Sequence, residues 1–228
     1  MAERRAVIAG ATGLVGRHLL ERLLERPEWT RVTTVGRSAP EATHGKLEHL
    51  KASLDGFPRA LASAKFDDAF CCLGTTMKKA GTKARFRAVD LDGAVQFARA
   101  ARKAGARSFG LVSAAGASTD SRNFYLQTKG HAEREIETLG FSSLAIARPG
   151  VLRGDRAESR PAERLAILAA PLTDRLMIGP LASYRSADAR DVADALVAAA
   201  LAARPGCVRL DPRTLGALAR SLGRRRAR

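Results

Sequence analysis

Residues 7–16 read V-I-A-G-A-T-G-L-V-G, a short apolar run that closes on glycines at positions 10, 13 and 16. A helical pattern of apolar residues follows over residues 14–26. In such a strand-to-helix turn the first glycine permits the tight turn, the second lets backbone amides approach a pyrophosphate, and the third lets the helix pack on the strand. The stretch therefore predicts a dinucleotide-binding turn, with ordinary turn glycines as the competing interpretation. Its G-x-x-G-x-x-G spacing matches the commoner G-x-G-x-x-G fingerprint only in part.

Strand-like and helix-like segments alternate along the first two thirds of the chain. Strands are predicted over 5–9, 31–36, 47–51, 67–73, 108–113 and 143–147, and helices over 14–26, 57–64, 84–104 and 124–139. This alternation predicts an α/β protein with a doubly wound parallel sheet, a Rossmann fold. Right-handed crossovers would then bring the loops that follow the strands into one crevice. We expect that crevice to contain the turn after the first strand, Gly36-Arg37, Gly74-Thr75, Ser113 and Pro149-Gly150.

The pattern loosens after residue 150, where helical stretches are predicted over 161–170, 188–203 and 212–222. We interpret this part as a small helical cap on the substrate side. The chain is thus expected to form a single domain over 1–228, with a cofactor-binding core at 1–150 and a substrate-side elaboration at 151–228. The segment Arg153–Arg164 mixes arginines with acids, which suits an anionic substrate and a solvated helix start equally. Tyr184 and Arg185 are weaker candidates for the pocket.

The charge is strongly positive, with 39 Lys and Arg against 23 Asp and Glu and a net charge of +16. Such a balance favours anionic ligands, or weak adhesion to nucleic acid and acidic membranes. The cations are scattered, and aromatic residues make up only 5%, which offers no stacking platform for single strands. We therefore expect no specific nucleic-acid partner. The arginine cluster at 224–226 and 228 is interpreted as a solvated chain end.

No apolar run approaches the roughly 20 residues that span a bilayer, so no membrane span is predicted. The first strand begins too early to leave room for a signal peptide, and we expect a cytoplasmic protein. Cys71 and Cys72 adjoin on a predicted strand, so their side chains should lie on opposite faces, and all three cysteines are expected to be buried and reduced. The four histidines show no metal-ligand spacing, and no metal site is inferred.

A tyrosine and a lysine lie four residues apart in Y-L-Q-T-K, residues 125–129. That spacing puts Tyr125 and Lys129 on one face of a helix. A nearby ammonium favours the phenolate, which brings a tyrosine hydroxyl toward the working range of a general acid or base. Ser113, at the end of the preceding strand, could hydrogen-bond a substrate carbonyl. The alternative is a surface tyrosine beside a solvated lysine.

These motifs together resemble the short-chain dehydrogenase/reductase superfamily over residues 5 to 155. G-A-T-G-L-V-G is similar to its atypical glycine motif, L-V-S-A-A-G to its serine segment, and Y-L-Q-T-K to its Tyr and Lys. The resemblance implies that Tyr125 donates or accepts the proton and that Ser113 orients the carbonyl. It also implies that Lys129 holds the nicotinamide ribose hydroxyls and lowers the tyrosine pKa.

Further segments resemble the small atypical group of oxidoreductases that includes TIP30. The similarity extends to about residue 165 and weakens in the C-terminal part. It is carried by V-T-T-V-G-R at 32–37, F-C-C-L-G-T-T at 70–76, K-A-G at 79–81, F-Y-L-Q-T-K-G at 124–130, R-P-G-V-L at 148–152 and D-R-A-E-S-R-P at 155–161.

The predicted cofactor is NADP(H) rather than NAD(H). Arg37 follows the second strand, where an acidic residue would bond the ribose 2′-hydroxyl of NAD, and its guanidinium suits a 2′-phosphate instead. The competing interpretation is one more exposed arginine. Including those implied by the resemblance, the predicted cofactor contacts are Gly10, Ala11, Thr12, Gly13, Leu14, Val15, Gly16, Arg37, Ser53, Leu54, Leu73, Gly74, Thr75, Tyr125, Lys129, Pro149, Gly150 and Val151.

Two positions depart from the superfamily pattern. Asp90, in V-D-L-D-G-A, occupies the place of an asparagine that helps to relay protons in many members. Ser53 stands where an aspartate commonly contacts the adenine, and Asp55 could replace it only with a shifted register. Either change could affect affinity or turnover, while the Ser, Tyr and Lys trio is intact.

The leading hypothesis is an NADP-dependent oxidoreductase that acts on a small-molecule carbonyl or alcohol. A regulatory or interaction protein that senses the cofactor with little turnover is the alternative from another class. A nucleotide-sugar epimerase or dehydratase is less favoured, because such enzymes usually need a larger C-terminal domain. Nucleic-acid binding rests on charge alone. The helix predicted at 84–104 could provide the face of a homodimer.

Overall fold

The computed structural model describes residues 3–153 and 186–226, and its centre is a parallel sheet. Seven strands hydrogen-bond in the order β3-β2-β1-β4-β5-β6-β9, and every neighbouring pair is parallel. A separate two-residue pair joins β7 and β8. The strands are β1 (Arg4–Ala9), β2 (Trp29–Gly36), β3 (Leu47–Lys51), β4 (Asp68–Cys71), β5 (Ser108–Val112), β6 (Ser143–Ala147), β7 (Leu152–Arg153), β8 (Ala187–Asp188) and β9 (Gly206–Leu210).

Helices connect these strands and cover both faces of the sheet. They are α1 (Leu14–Glu25), α2 (Phe57–Leu61), α3 (Met77–Ala80), α4 (Lys83–Arg87), α5 (Ala94–Lys103), α6 (Phe124–Glu137), α7 (Ala189–Ala202) and α8 (Pro212–Arg226). A π-helical turn at Ala88–Gly93 joins α4 to α5. The predicted fold class, a doubly wound Rossmann sheet, is confirmed.

Alternating residues of β1 divide the core into two layers. Ala6 and Ile8 pack with α1 and α7, whereas Val7 and Ala9 pack with α2 and α5. Successive side chains of a strand point to opposite faces, so a strand covered on both sides must be apolar throughout. This requirement explains why the run V-I-A ahead of the glycine turn is uninterrupted.

The strand order reverses beside β1, which has β2 on one side and β4 on the other. In open parallel sheets a ligand crevice lies at such a point, outside the carboxyl ends of the strands. The glycine turn after β1 and the loop after β4 flank this crevice. The sheet therefore positions the predicted cofactor loops at one edge, as the sequence indicated.

The C-terminal part differs from the predicted helical cap. Helix α7 packs against α1 and belongs to the core, and β9 extends the sheet by pairing with β6 from Ser143↔Gly206 to Ala147↔Leu210. Strand β9 was not predicted because four of its five residues are exposed on an edge and show no apolar run. The predicted helix at 161–170, most of Arg153–Arg164, and Tyr184 and Arg185 lie outside the described residues.

The single helix predicted over 84–104 is interrupted. Helix α4 passes into the π-helical turn before α5 begins, and the turn contains the buried Asp90. Insertions of this kind are rare within helices and occur frequently at functional sites. The turn is positioned directly against α6.

The cysteines follow the prediction in part. Cys71 packs in one core layer and Cys72 against the other, so the two side chains lie on opposite faces as expected. All three cysteines are free thiols, but Cys207 is exposed because it lies on the edge strand β9. Among residues 3–153 and 186–226, no helix is long and apolar enough to cross a bilayer. The same residues hold no group of three or more potential metal ligands.

Candidate functional site

The turn between β1 and α1 accommodates glycine alone at two positions. Gly10 has φ +83°, and a Cβ there would lie 2.5 Å from the carbonyl oxygen of Cys72. A Cβ on Gly16 would lie 2.0 Å from the carbonyl oxygen of Gly10. The turn is thus pressed between the end of β4 and the first turn of α1.

Helix α1 begins with backbone amides that no side chain caps. Its N-cap residue is Gly13, and the first turn carries no acidic residue. The Arg17 amide donates to the Gly13 carbonyl at 3.0 Å, which leaves the preceding amides of the helix to an outside acceptor. An uncapped helix N-terminus behind a glycine turn fits the negative charge of a pyrophosphate.

A cationic cavity of about 650 Å³ opens at the carboxyl ends of β2 and β3. Arg37, a predicted cofactor contact, lines it, and Lys51 and Arg59 line it as well. The last two were missed, although Lys51 ends a predicted strand and could have been placed at the same sheet edge. The remaining lining residues are Ala52, Ser53, Gly56 and Ala60.

Ser53 interacts with its neighbour instead of standing alone in the cavity wall. A hydrogen bond from the Ser53 side chain lowers the pKa of the Asp55 carboxyl, with backbone amides of the same turn contributing. Leu54 faces the other way and packs on Gly93, where an added Cβ would approach its Cδ2 to 2.9 Å. The segment after β3 therefore joins the cavity to the π-helical turn.

Asn123 fixes the start of α6 and with it the position of Tyr125. Its side-chain oxygen accepts from the backbone amides of Tyr125 at 2.9 Å and Leu126 at 3.2 Å. The Tyr125 ring packs beside Phe86, with centroids 5.7 Å apart, while 37% of the residue stays exposed. A capped and packed tyrosine that keeps access to solvent can exchange a proton with a ligand in the crevice.

Lys129 lies one turn after Tyr125 and is buried against a carboxylate. Its Nζ is 2.7 Å from Oδ1 of Asp90, and the Asp90 side chain is 1% exposed. The Thr75 amide donates to Oδ2 of Asp90 at 2.8 Å. A Cβ on Gly74 would lie 3.6 Å from Asp90 Oδ1 and 3.9 Å from Lys129 Nζ, so this backbone passes directly over the ion pair.

The charge of Lys129 depends on that carboxylate. Burial alone would lower the pKa of the ammonium, but Asp90 and then Tyr125 raise the pKa above its ordinary value. The lysine is therefore held in its charged form inside the protein.

Ser113 makes a contact that its predicted role did not include. Its hydroxyl donates to Oε1 of Glu133 at 2.5 Å, and the carboxylate is 2% exposed. Glu133 also pairs with the guanidinium of Arg148, whose Nε lies 3.0 Å from Oε1. The structure thus brings Tyr125 and Lys129 together on α6 and directs the Ser113 proton to a third residue of the same helix.

The other predicted cofactor contacts differ in how much of each residue is exposed. Ala11 and Val15 are buried in the core, so only their backbone faces outward for a ligand, whereas Val151 is 59% exposed. The Pro149 carbonyl accepts from the Ala115 amide at 2.8 Å, which ties the loop after β6 to the loop after β5. The predicted cofactor contacts also include Thr12, Leu14, Leu73 and Gly150, in addition to the residues described above.

Comparison with known proteins shows the family to which the chain belongs. The sequence model of the family described as NAD(P)H-binding matches residues 10–203. The rat protein HTATIP2 is 38% identical over 170 residues, which cover 73% of this chain and 70% of the rat protein. Protein fmp52-1, mitochondrial, from Aspergillus terreus is 35% identical over 207 residues, which cover 88% of this chain and 89% of that protein.

Solved structures with low identity share the fold. MoeE5 in complex with UDP-glucuronic acid and NAD gives a TM-score of 0.68 at 18% identity, covering 91% of this chain and 76% of that chain. A short chain dehydrogenase family protein from Francisella tularensis gives 0.66 at 14% identity, covering 93% and 99%. These likenesses support the Rossmann architecture alone.

The expectation of a cytoplasmic location is wrong by the same comparison. Fungal relatives that match this chain, including the Aspergillus terreus protein and FMP52 of Meyerozyma guilliermondii at 39% identity over 157 residues, are named mitochondrial proteins. The early start of the first strand was therefore insufficient ground for assigning a compartment.

Proposed function

The chain belongs to the NAD(P)H-binding family, and on that premise we propose that it is an NADP-dependent oxidoreductase of the short-chain dehydrogenase/reductase type, acting on a carbonyl or alcohol carbon. One observation carries the proposal. The glycine turn, the cationic cavity and the Tyr125 and Lys129 pair lie along the same carboxyl edge of the sheet. On this proposal, one end of that edge would hold the phosphates and the other would supply the proton donor.

The residues present fit a dinucleotide. The uncapped amides of α1 would hold the pyrophosphate, because no side chain hydrogen-bonds to the start of the helix. Gly74 and Thr75 would hold the nicotinamide half beside Lys129, with Pro149, Gly150 and Val151 on the opposite loop. When bound, the nicotinamide supplies or accepts the hydride at the substrate carbon.

The preference for NADP(H) rests on the charge of the cavity. Arg37, Lys51 and Arg59 line one space, and a 2′-phosphate there would meet three cations. Arginine can bind a phosphate through two parallel hydrogen bonds, and lysine adds a compact charge. An acidic residue that would select the 2′-hydroxyl of NAD is absent from the described residues that line this cavity.

Proton transfer is assigned to Tyr125, with Lys129 beside it as the fixed cation. Ser113 would orient the substrate oxygen, and two directions of the reaction make different demands on it. Its oxygen can accept a hydrogen bond from a substrate alcohol while its own O–H continues to donate to Glu133. To donate to a substrate carbonyl, the hydroxyl must rotate away from Glu133.

A single domain over 1–228 and a homodimer are further parts of this proposal. The face formed by α5 and α6 carries an exposed ion pair between Arg99 and Glu135 and provides a candidate surface for a second copy. Sedimentation equilibrium of the wild-type protein distinguishes a dimer from a monomer directly.

The test begins with titrations of the protein with NADPH and with NADH, in which nicotinamide fluorescence reports binding. We expect NADPH to bind more tightly, and Arg37→Gln to remove most of the difference. A screen of carbonyl compounds with NADPH follows, with Tyr125→Phe as the inactive control. If neither dinucleotide binds, the oxidoreductase proposal is overturned.

A cofactor-sensing protein with little turnover is the second candidate. It is favoured by two contacts that occupy the site's own groups, the Lys129–Asp90 ion pair and the Ser113–Glu133 hydrogen bond. A sensor needs the pocket but not the proton donor. Tight NADPH binding, with NADPH oxidation that Tyr125→Phe leaves unchanged, would select this candidate.

A further inference from the structure

Asp90 connects three elements that meet at the candidate site. It lies on the π-helical turn, accepts from the Thr75 amide in the loop after β4, and pairs with Lys129 on α6. We propose that Asp90 is a positioning residue that keeps Lys129 charged and directed at the cofactor. The cofactor part of this inference, that Lys129 is directed at the cofactor, rests on the proposed function. The charge part, that Asp90 keeps Lys129 charged, concerns the chain alone.

The geometry leaves the ammonium few partners. Lys129 is 6% exposed, and the backbone of Gly74 passes over it without a side chain to interpose. The carboxylate is fixed from its other oxygen by the Thr75 amide at 2.8 Å. Because Asp90 cannot turn away without losing that bond, Lys129 Nζ is held beneath the Gly74 and Thr75 backbone.

The groups that face Lys129 come from three elements. Asp90 faces it from the π-helical turn, Tyr125 from its own helix, and the thiols of Cys71 and Cys72 from the end of β4. Burial raises the pKa of the Cys71 thiol to about 11 and raises that of Cys72 further, so neither carries a charge near neutral pH. Glu133 lies one turn farther along α6 and is occupied by Ser113 and Arg148. Asp90 is therefore the carboxylate that balances the buried ammonium.

Removal of the Asp90 charge would leave burial as the dominant influence on the pKa of Lys129. Burial by itself lowers the pKa of an amine, by up to several units in documented cases. Asn at position 90 keeps the size of the side chain and an acceptor for the Thr75 amide. Asp90→Asn thus removes the charge and leaves the shape.

The first experiment follows NADPH affinity with pH by nicotinamide fluorescence. Wild-type affinity should be nearly constant between about pH 6.5 and about pH 9, whereas Asp90→Asn should lose affinity several-fold over that range as Lys129 deprotonates. Asp92→Asn is the matched control, because Asp92 is on the same turn with its side chain 56% exposed. Equal pH profiles for wild type and Asp90→Asn would overturn the cofactor part.

The second experiment needs no cofactor and measures urea unfolding over the same pH range. In Asp90→Asn the unfolded chain would bind one proton more than the native state, so its stability should rise with pH toward that of the wild type. The gap between the two unfolding constants should close by up to about tenfold per pH unit. In the wild type the raised pKa of Lys129 keeps both states protonated, and this contribution is flat.

A double variant, Asp90→Asn with Lys129→Gln, covers the case in which the single variant does not fold. Loss of both charges should cost less stability than loss of Asp90 alone, because no unpaired ammonium remains buried. Equal costs for the two variants would overturn the charge part of the inference. If wild-type protein fails to bind NADPH while the unfolding results hold, the proposed function fails and the charge role of Asp90 stands.

Discussion

Glu133 is a buried carboxylate that ties α6 to two neighbouring strands at the edge of the candidate site. It accepts from Ser113 at the end of β5 and pairs with Arg148 just after β6, while Arg209 on β9 lies 3.7 Å away. A carboxylate can be kept charged in the interior when several donors satisfy its lone pairs. The network fixes the loop carrying Ser113 relative to the helix carrying Tyr125.

Neutralising that carboxylate should destabilise the fold. Removal of one partner from a buried ion pair costs about 3–5 kcal/mol, and Arg148 is partly exposed, so we expect about 2–3 kcal/mol for Glu133→Gln. Urea unfolding measures the difference. The matched control is Glu135→Gln on the same helix, whose exposed pair with Arg99 should contribute less than about 1 kcal/mol. Equal costs for the two variants would show that Glu133 contributes no more than a surface pair.

Tyr125 and Ser113 should differ sharply in their kinetic effects. General acid–base groups contribute about 10²–10⁴-fold, so Tyr125→Phe should reduce kcat by that range with NADPH affinity unchanged. Ser113→Ala removes the proposed neutral hydrogen bond to the substrate oxygen and should reduce kcat by about tenfold. Steady-state rates with the best carbonyl substrate, alongside NADPH titrations, check both values. A larger loss for Ser113→Ala than for Tyr125→Phe would contradict the assigned roles.

Helix α6 is held against the loop after β5 by a close backbone contact. A Cβ on Gly130 would lie 2.2 Å from the carbonyl carbon of Ser118, and the Ser118 amide donates to the Leu126 carbonyl at 3.2 Å. Gly130 is thus the point at which the loop crosses the helix between Tyr125 and Glu133. A side chain there must push the loop and the helix apart.

Gly130→Ala should therefore destabilise the protein although alanine is the better helix former. Overpacking costs about 1–3 kcal/mol, which exceeds the roughly 1 kcal/mol gained from helix propensity. Gly223→Ala on α8 is the control, because nothing lies within 4 Å of its added Cβ, and it should be neutral or stabilising. Thermal unfolding of both variants compares them, and a stabilised Gly130→Ala would refute the close contact.

The elements that could be predicted are those whose pattern is local. The apolar runs of β1 and β6 and the glycines of the first turn carry their own signal, and Tyr125 and Lys129 follow from helical spacing. Strand β9 lacks such a signal because it is an exposed edge, and the buried Asp90 of the π-helical turn pairs with a distant residue, Lys129. For the same reason the pairs Lys129–Asp90 and Ser113–Glu133 could not be predicted, because their members are 39 and 20 residues apart in the sequence.

The net charge is +16, and the cations differ in whether acidic side chains pair with them. Several surface arginines are paired with acids, as Arg22 is with Asp194 at 2.6 Å and Arg209 with Glu137 at 2.7 Å. Among the residues that the structure describes, the cavity after β2 and β3 is in contrast lined by three cations and no acid. Positive potential is therefore concentrated at the edge where a phosphate-bearing cofactor would enter.

Salt should consequently weaken the preference for NADPH over NADH. Arg37, Lys51 and Arg59 are exposed, and the screening length falls from about 10 Å at 0.1 M salt to about 3 Å at 1 M. Only NADPH carries the 2′-phosphate, so the ratio of the two dissociation constants should narrow several-fold between about 0.05 M and about 0.5 M NaCl. Fluorescence titrations at each salt concentration measure that ratio, with Arg99→Gln as a control that removes a cation outside the cavity. A ratio independent of salt would place the 2′-phosphate away from these three side chains, because a contact with exposed cations must respond to screening.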